Sequence, residues 1–138
     1  MKLAWKLFGV LTCLALSATP SDIKVIANSQ VTVSSVSHED LRGIFLGNKT
    51  SVADGSHVEP VLLQSGAAHE AFVKQYVGKT AATLVSYYRS LVFTGKGTMP
   101  PMLASDAEVV KYVAKTRGAI GYVSGTANIE SVKLLEVK

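Results

Sequence analysis

Few residues of this chain have the type and spacing that chemistry requires. The three histidines are His38, His57 and His69. No two of them stand at a zinc-ligand spacing, and no cysteine follows residue 13 to help them. His38 falls in the first turn of an expected helix, His57 beside a turn, and His69 inside a second helix. All three read as solvated surface histidines, since histidine is intermediate in burial and often exposed. Ser65 precedes Gly66 but lacks the Gly-x-Ser-x-Gly elbow that presents a serine nucleophile. Asp54, Asp106, Glu70 and Glu108 are accounted for by turns, caps and helix starts. These residues form no catalytic constellation and ask for neither metal nor cofactor. The expectation is a protein that binds and does not catalyse.

Two segments have physical meaning for binding. Val58–Leu63 reads as a strand that runs through Gln64-Ser65-Gly66-Ala67-Ala68 straight into a helix. The unpaired N–H groups of a helix start carry partial positive charge and can hold an anion. Ser65 adds a hydroxyl, Gly66 allows close approach, and Ala67 and Ala68 supply backbone N–H groups. The second segment is Thr94-Gly95-Lys96-Gly97-Thr98, in which Thr94, Lys96 and Thr98 offer hydroxyls and a cation to the same anion. Read alone, it is also an ordinary surface loop.

These residues need elements to position them. Ile23–Ala27 alternates as a first strand, and Val31–Val36 is extended or loop-like. Ser37-His38-Glu39-Asp40 is a capping box in which Ser37 takes an N–H three residues on and Asp40 reaches back. The helix it opens carries Leu41, Ile44 and Phe45 on one face and stops at Gly47. Asp54-Gly55 marks a turn, and Pro60 belongs near the start or at the edge of the second strand. Phe72, Val73, Tyr76 and Val77 form the stripe of the next helix, which Gly78 ends. Thr80 caps a third helix with Leu84, Tyr88, Leu91 and Val92 on its stripe. Ser105-Asp106-Ala107-Glu108 is another capping box, followed by Val109, Val110 and Val113. Gly118–Val123 reads as a buried strand, and Val132–Val137 as the last. Strands interleaved with helices predict an α/β domain with some parallel pairing.

The first twenty residues differ from the rest. Lys2 and Lys6 precede the apolar run Leu7–Leu16, and small residues follow at Ser17, Ala18 and Thr19. That is the order of a secretory signal, expected over 1–20 with cleavage near Ser17 to Pro20. The run is too short to span a hydrocarbon core, which needs about 20 residues. Cys13 and Trp5 would leave with it, so no disulfide could staple the remainder. The chain has 14 basic and 10 acidic residues, a formal charge of +4. Without Lys2 and Lys6 this becomes +2, scattered along the sequence, which disfavours a nucleic-acid partner. The expected organisation is a signal over 1–20 and one domain over 21–138.

One resemblance sharpens this reading. Val36-Ser37-His38-Glu39-Asp40-Leu41-Arg42-Gly43-Ile44-Phe45-Leu46-Gly47-Asn48-Lys49-Thr50 resembles a stretch of the phosphate-binding proteins of phosphate ABC transporters. Leu91–Thr98 is similar to a later segment, and Ser105–Val110 with Gly118–Val123 to the closing helix and strand. These matches run in family order across residues 24 to 137. The resemblance implies a single lobe of a type 2 periplasmic-binding-protein-like fold, with a mixed sheet flanked by helices. It also implies periplasmic export and a small anion, phosphate, as ligand in uptake or sensing. A membrane transporter or sensor is the implied protein partner, or a homodimer.

The sequence departs from that family at the anion loop, where an arginine and a Ser-Gly-Thr run are expected. Leu62–Ala68 matches neither. Val52 stands where Trp is common, and Arg117 where Pro is. The family's members hold phosphate between two lobes. A hydrogen bond to a charged group contributes about 1.5–3 kcal/mol, so three or four donors lost with a lobe cost roughly 5–10 kcal/mol, or about four to seven decades of affinity. A lone lobe must therefore dimerise, borrow a partner's surface or bind phosphate weakly. The alternative reading is an interaction module that docks on a membrane sensor or transporter without a small ligand.

Overall fold

The computed structural model describes residues 23–138. The signal assigned to residues 1–20 lies outside them. The first strand, β1 (Ile23–Ala27), is central. It pairs antiparallel with β6 (Ala119–Ser124) on one side and β7 (Lys133–Val137) on the other. The short β2 (Ser35–Val36) adds parallel to β7, and β3 (Glu59–Pro60) adds parallel to β6. The order is β2-β7-β1-β6-β3, a mixed sheet.

The strand expected over Val58–Leu63 is divided between two sheets. β3 pairs with β6, and two residues later β4 (Leu62–Leu63) pairs parallel with β5 (Met102–Leu103). Val61 N–H still reaches Ile120 O, whereas Leu62 N–H turns to Pro101 O. Pro60 has no N–H to give a ladder and sits on the sheet edge, as proline in a strand should. β5 is too short and too close to Pro100-Pro101 to show a period in the sequence.

The helices cover both faces. β-Strand side chains alternate between faces, and neighbouring residues of β6 show it. A methyl on Gly121 would lie 3.0 Å from Val109 Cγ1 and 3.3 Å from Val113 Cγ2, so that face receives α4 (Asp106–Lys115). Tyr122 points the other way, against α1 (His38–Phe45) and α2 (Ala67–Phe72). α2 continues as a wider turn over Val73–Val77 and ends at Gly78, whose φ of 74° is left-handed. Leu41, Ile44, Phe45, Phe72, Val73 and Val77 are all fully buried.

Each capping serine or threonine does what its position requires. Ser37 Oγ accepts from Asp40 N, Thr80 Oγ1 from Thr83 N, and Ser105 Oγ from Glu108 N. The reciprocal half of both capping boxes differs from expectation. Asp40 takes Lys49 Nζ at 2.6 Å instead of the Ser37 amide. Glu108 reaches one residue further, to Ala104 N at 2.9 Å.

α3 (Ala81–Phe93) is held to the end of α1 by two tyrosines. Tyr88 donates to Phe45 O, and Tyr87 donates to Leu46 O at 2.6 Å. Both satisfy carbonyls that a helix C-terminus leaves unpaired. The expected stripe of α3 is right for Leu84 and Tyr88 and wrong for Val92, which is 49 % exposed. Val92 lies about a quarter-turn off the line of Leu84 and Tyr88 at 3.6 residues per turn.

Candidate functional site

The anion candidates sit at the carboxyl end of β4. Gln64 N–H donates to Leu103 O and its side-chain amide to Met102 O, which pins the loop to β5. Ser65, Gly66 and Ala67 are exposed and Ala68 is half-buried. Gly66 has φ 106°, which favours glycine, and nothing stands within 4 Å of where its Cβ would be. α1, α3 and α4 each have a side-chain cap, while α2, alone among the described helices of the α type, starts without one. Its first N–H groups are thus left to an outside acceptor or to water.

The electrostatics are mixed. α4 follows β5 as α2 follows β4, and these strands pair parallel, so the two helices open at the same end of the pair. The first turn of α4 carries Asp106 and Glu108. Asp106 accepts from the Ser124 amide and hydroxyl, and Glu108 accepts from Ala104 N. Those bonds spread the two charges, yet two carboxylates at the same end oppose a second anion.

Thr94, Lys96 and Thr98 are exposed and lie elsewhere. They belong to the loop that leads into β5 and so sit at the amino end of the β4–β5 pair, opposite Ser65–Ala68. Thr94 Oγ1 is spent on Ser90 O at 2.9 Å. Lys96 and Thr98 instead line a cleft of about 540 Å³ with Lys49, His57, Tyr87 and Met99. The structure does not bring the two candidate segments together.

His69 corrects the expectation of a solvated histidine, being 1 % exposed. It stands at i, i+3, i+4 and i+7 with Phe72, Val73 and Tyr76, so the apolar stripe of its own helix turns it inward. That spacing was the available signal. Leu63 N–H donates to Tyr122 Oη at 3.1 Å, so the Tyr122 proton is free to go to His69 Nδ1. The ring then holds its own proton on Nε2 and is neutral. The Tyr122 ring stacks on Phe72 at 3.8 Å between centroids and meets Phe45 edge-on. This buried relay fixes β4, β6 and α2 to one another directly beneath the Ser65–Ala68 turn.

Burial pulls the His69 pKa below its ordinary 6.5, with the Glu70 charge opposing. The unfolded chain therefore takes up a proton at a pH where the folded one resists it, and stability falls as pH drops below about 6.5. His57, at 3.2 Å from Glu59, is paired on the surface. Melting midpoints measured from pH 8 to pH 5 should fall below pH 6.5, and His69→Gln, which keeps an acceptor but cannot be charged, should flatten that slope. A slope unchanged in the variant would assign the acid sensitivity to other groups.

Among the described residues no cluster of three or more His, Cys, Asp or Glu could hold a metal, and no helix is long and apolar enough to cross a membrane. No protein-family model and no curated protein matches the chain. Solved structures do. An ABC-type phosphate transport receptor from Vibrio cholerae aligns at 15% identity over 85% of this chain and 46% of its own, with a TM-score of 0.56. A phosphate ABC transporter substrate-binding protein from Clostridium perfringens, with phosphate bound, aligns at 17% over 85% and 45%, with a TM-score of 0.65. PstS from Borrelia burgdorferi aligns at 15% over 86% and 47%, with a TM-score of 0.62.

At such identities the likeness is one of fold. The fold is a single lobe of a periplasmic-binding-protein-like architecture, a mixed sheet with helices on both faces. The chain spans less than half the length of each of these neighbours.

Proposed function

We propose that this protein is an extracytoplasmic, non-enzymatic solute-binding-like domain. It takes phosphate or another small anion at Ser65, Gly66, Ala67 and Ala68, in the context of phosphate uptake or sensing. The observation that carries the reading is the start of α2, which has no side-chain cap, an open glycine before it and an exposed serine hydroxyl beside it. Fold likeness to proteins described as phosphate receptors supports the choice of anion. Weak binding is the consequence of a loop, Leu62–Ala68, that contains no arginine, of Asp106 and Glu108 on the helix that opens at the same end, and of a single lobe.

Ala67→Asp tests the site cleanly. Ala67 is exposed, and a carboxylate in the first turn of a helix contributes about 0.3–1 kcal/mol of stability, so the variant folds while its fixed charge occupies the anion's place. Any phosphate-dependent rise in melting temperature should vanish in this variant and persist in Lys96→Ala. The reverse pattern would move the site to the cleft at the other end of the strands.

The same acidic residues favour a second reading, in which the lobe docks on a membrane transporter or sensor and binds no solute. It predicts a stable complex in pull-downs and a melting temperature indifferent to phosphate.

A further inference from the structure

The end of α3 is built unlike the rest of the surface. Phe93 is 92 % exposed, and Val92 before it is 49 % exposed. At 100° per residue Phe93 points directly away from the buried line of Leu84 and Tyr88. Thr94, Gly95 and Lys96 after it are exposed as well, so the side chain projects from a corner and touches almost nothing.

The chain on either side of it carries charges of one sign. From residue 71 to residue 105 the chain contains no Asp or Glu and carries Lys74, Lys79, Arg89 and Lys96. The remaining described residues, eight basic and nine acidic, are close to neutral. Arg89 stands one turn before Phe93 on the same helix face, and Lys96 follows it by three residues. The one carboxylate among the residues lining the adjacent cleft, Glu59, is 3.2 Å from His57 Nε2.

Size chooses between receivers. The apolar side chains exposed at this tip, Val92 and Phe93, are few against the roughly 20–30 residues a side of a stable protein interface. A lipid surface has no such threshold. It adapts to a convex knob, buries apolar side chains at the headgroup boundary and attracts cations when its headgroups are anionic.

We infer that Phe93, with Val92, inserts into an anionic lipid surface while Arg89 and Lys96 lie against its headgroups. The contact is weak and reversible, and it places the domain beside a membrane. Lipid surface and anion site are separate, because the tip belongs to the amino end of the β4–β5 pair and Ser65–Ala68 to its carboxyl end.

The test is co-sedimentation of the purified protein with sucrose-loaded vesicles, either pure phosphatidylcholine or phosphatidylcholine with about one third phosphatidylglycerol. Wild type and variants are compared so that any contribution of residues 1–22 cancels. Binding to the anionic vesicles should exceed binding to the neutral ones and fall with added salt. Phe93→Ser should lower it about tenfold to a hundredfold, the range expected from losing one buried aromatic, with no change in melting temperature. Arg89→Glu and Lys96→Glu should each lower it about fivefold or more. Equal binding of wild type and Phe93→Ser, or no binding to either vesicle at low salt, overturns the inference. So does a concentration-dependent dimer that Phe93→Ser abolishes, which would assign the tip to a second copy of this chain.

Discussion

Phe72→Ala is expected to cost about 3–5 kcal/mol, the range for removing a fully buried aromatic side chain. Phe72 is wholly buried, stacks on Tyr122 at 3.8 Å and meets Phe45 at 4.8 Å. Its removal opens a cavity where the two helices of one face meet β6, and the ring that orients the Tyr122 hydroxyl loses its stacking partner. Domains of this size have about 5–15 kcal/mol in total, so the loss takes a large share. The melting midpoint should fall by roughly 10–20 °C. Phe72→Leu, which refills most of the volume, should recover more than half. A drop of only a few degrees in the alanine variant would mean that the α2–β6 contact is not the keystone of the fold.

Gly118→Ala should be comparably damaging through the backbone. Gly118 has φ 82°, and an added Cβ would lie 2.6 Å from the His57 carbonyl oxygen. A left-handed conformation alone costs an alanine about 1–2 kcal/mol. The clash is with main chain and cannot be relieved by a rotamer change, so β3 would have to separate from β6 at the Glu59 N–H to Gly118 O bond. The expected total is about 3 kcal/mol or more, read from denaturant unfolding. Gly55→Ala is the control, since its φ of 85° is similar but its surroundings are open. That variant should lose only the conformational part. Equal losses at the two positions would show that the close approach of β3 to β6 is unimportant.

Much of the architecture was legible because local chemistry and tertiary structure agree. Ser37, Thr80 and Ser105 cap the helices they were expected to cap, and Gly47 and Gly78 end two of them in left-handed conformations. β1, β6 and β7 follow their apolar patterns. β4 and β5 were not separable from their surroundings, because pairs of two residues have no period and their pairing is set by a long-range partner. Val92 was misplaced because α3 is apolar beyond its buried stripe, and the excess is the exposed tip.

The site was half legible. The strand, loop and helix around Ser65–Ala68 could be read from order alone, as could their weak complement of donors. Lys96 and Thr98 were grouped with them on composition, and only the parallel pairing of β4 with β5 shows that they sit at the opposite end. The His69–Tyr122 relay joins residues 53 apart in sequence. Spacing could turn His69 inward, but only the tertiary fold names its partner.

Thermal unfolding of the protein in phosphate, against sulfate and chloride at equal ionic strength, tests the anion site most directly. A ligand at about ten times its dissociation constant stabilises by RT ln(1 + [L]/Kd), about 1.4 kcal/mol, which raises the midpoint by several degrees. With about 10 mM phosphate and millimolar affinity, a phosphate-specific rise of that size is expected for the wild type and none for Ala67→Asp. A wild-type midpoint that does not move, or moves equally in sulfate and chloride, contradicts a phosphate site at the start of α2 and leaves the lobe as a docking module.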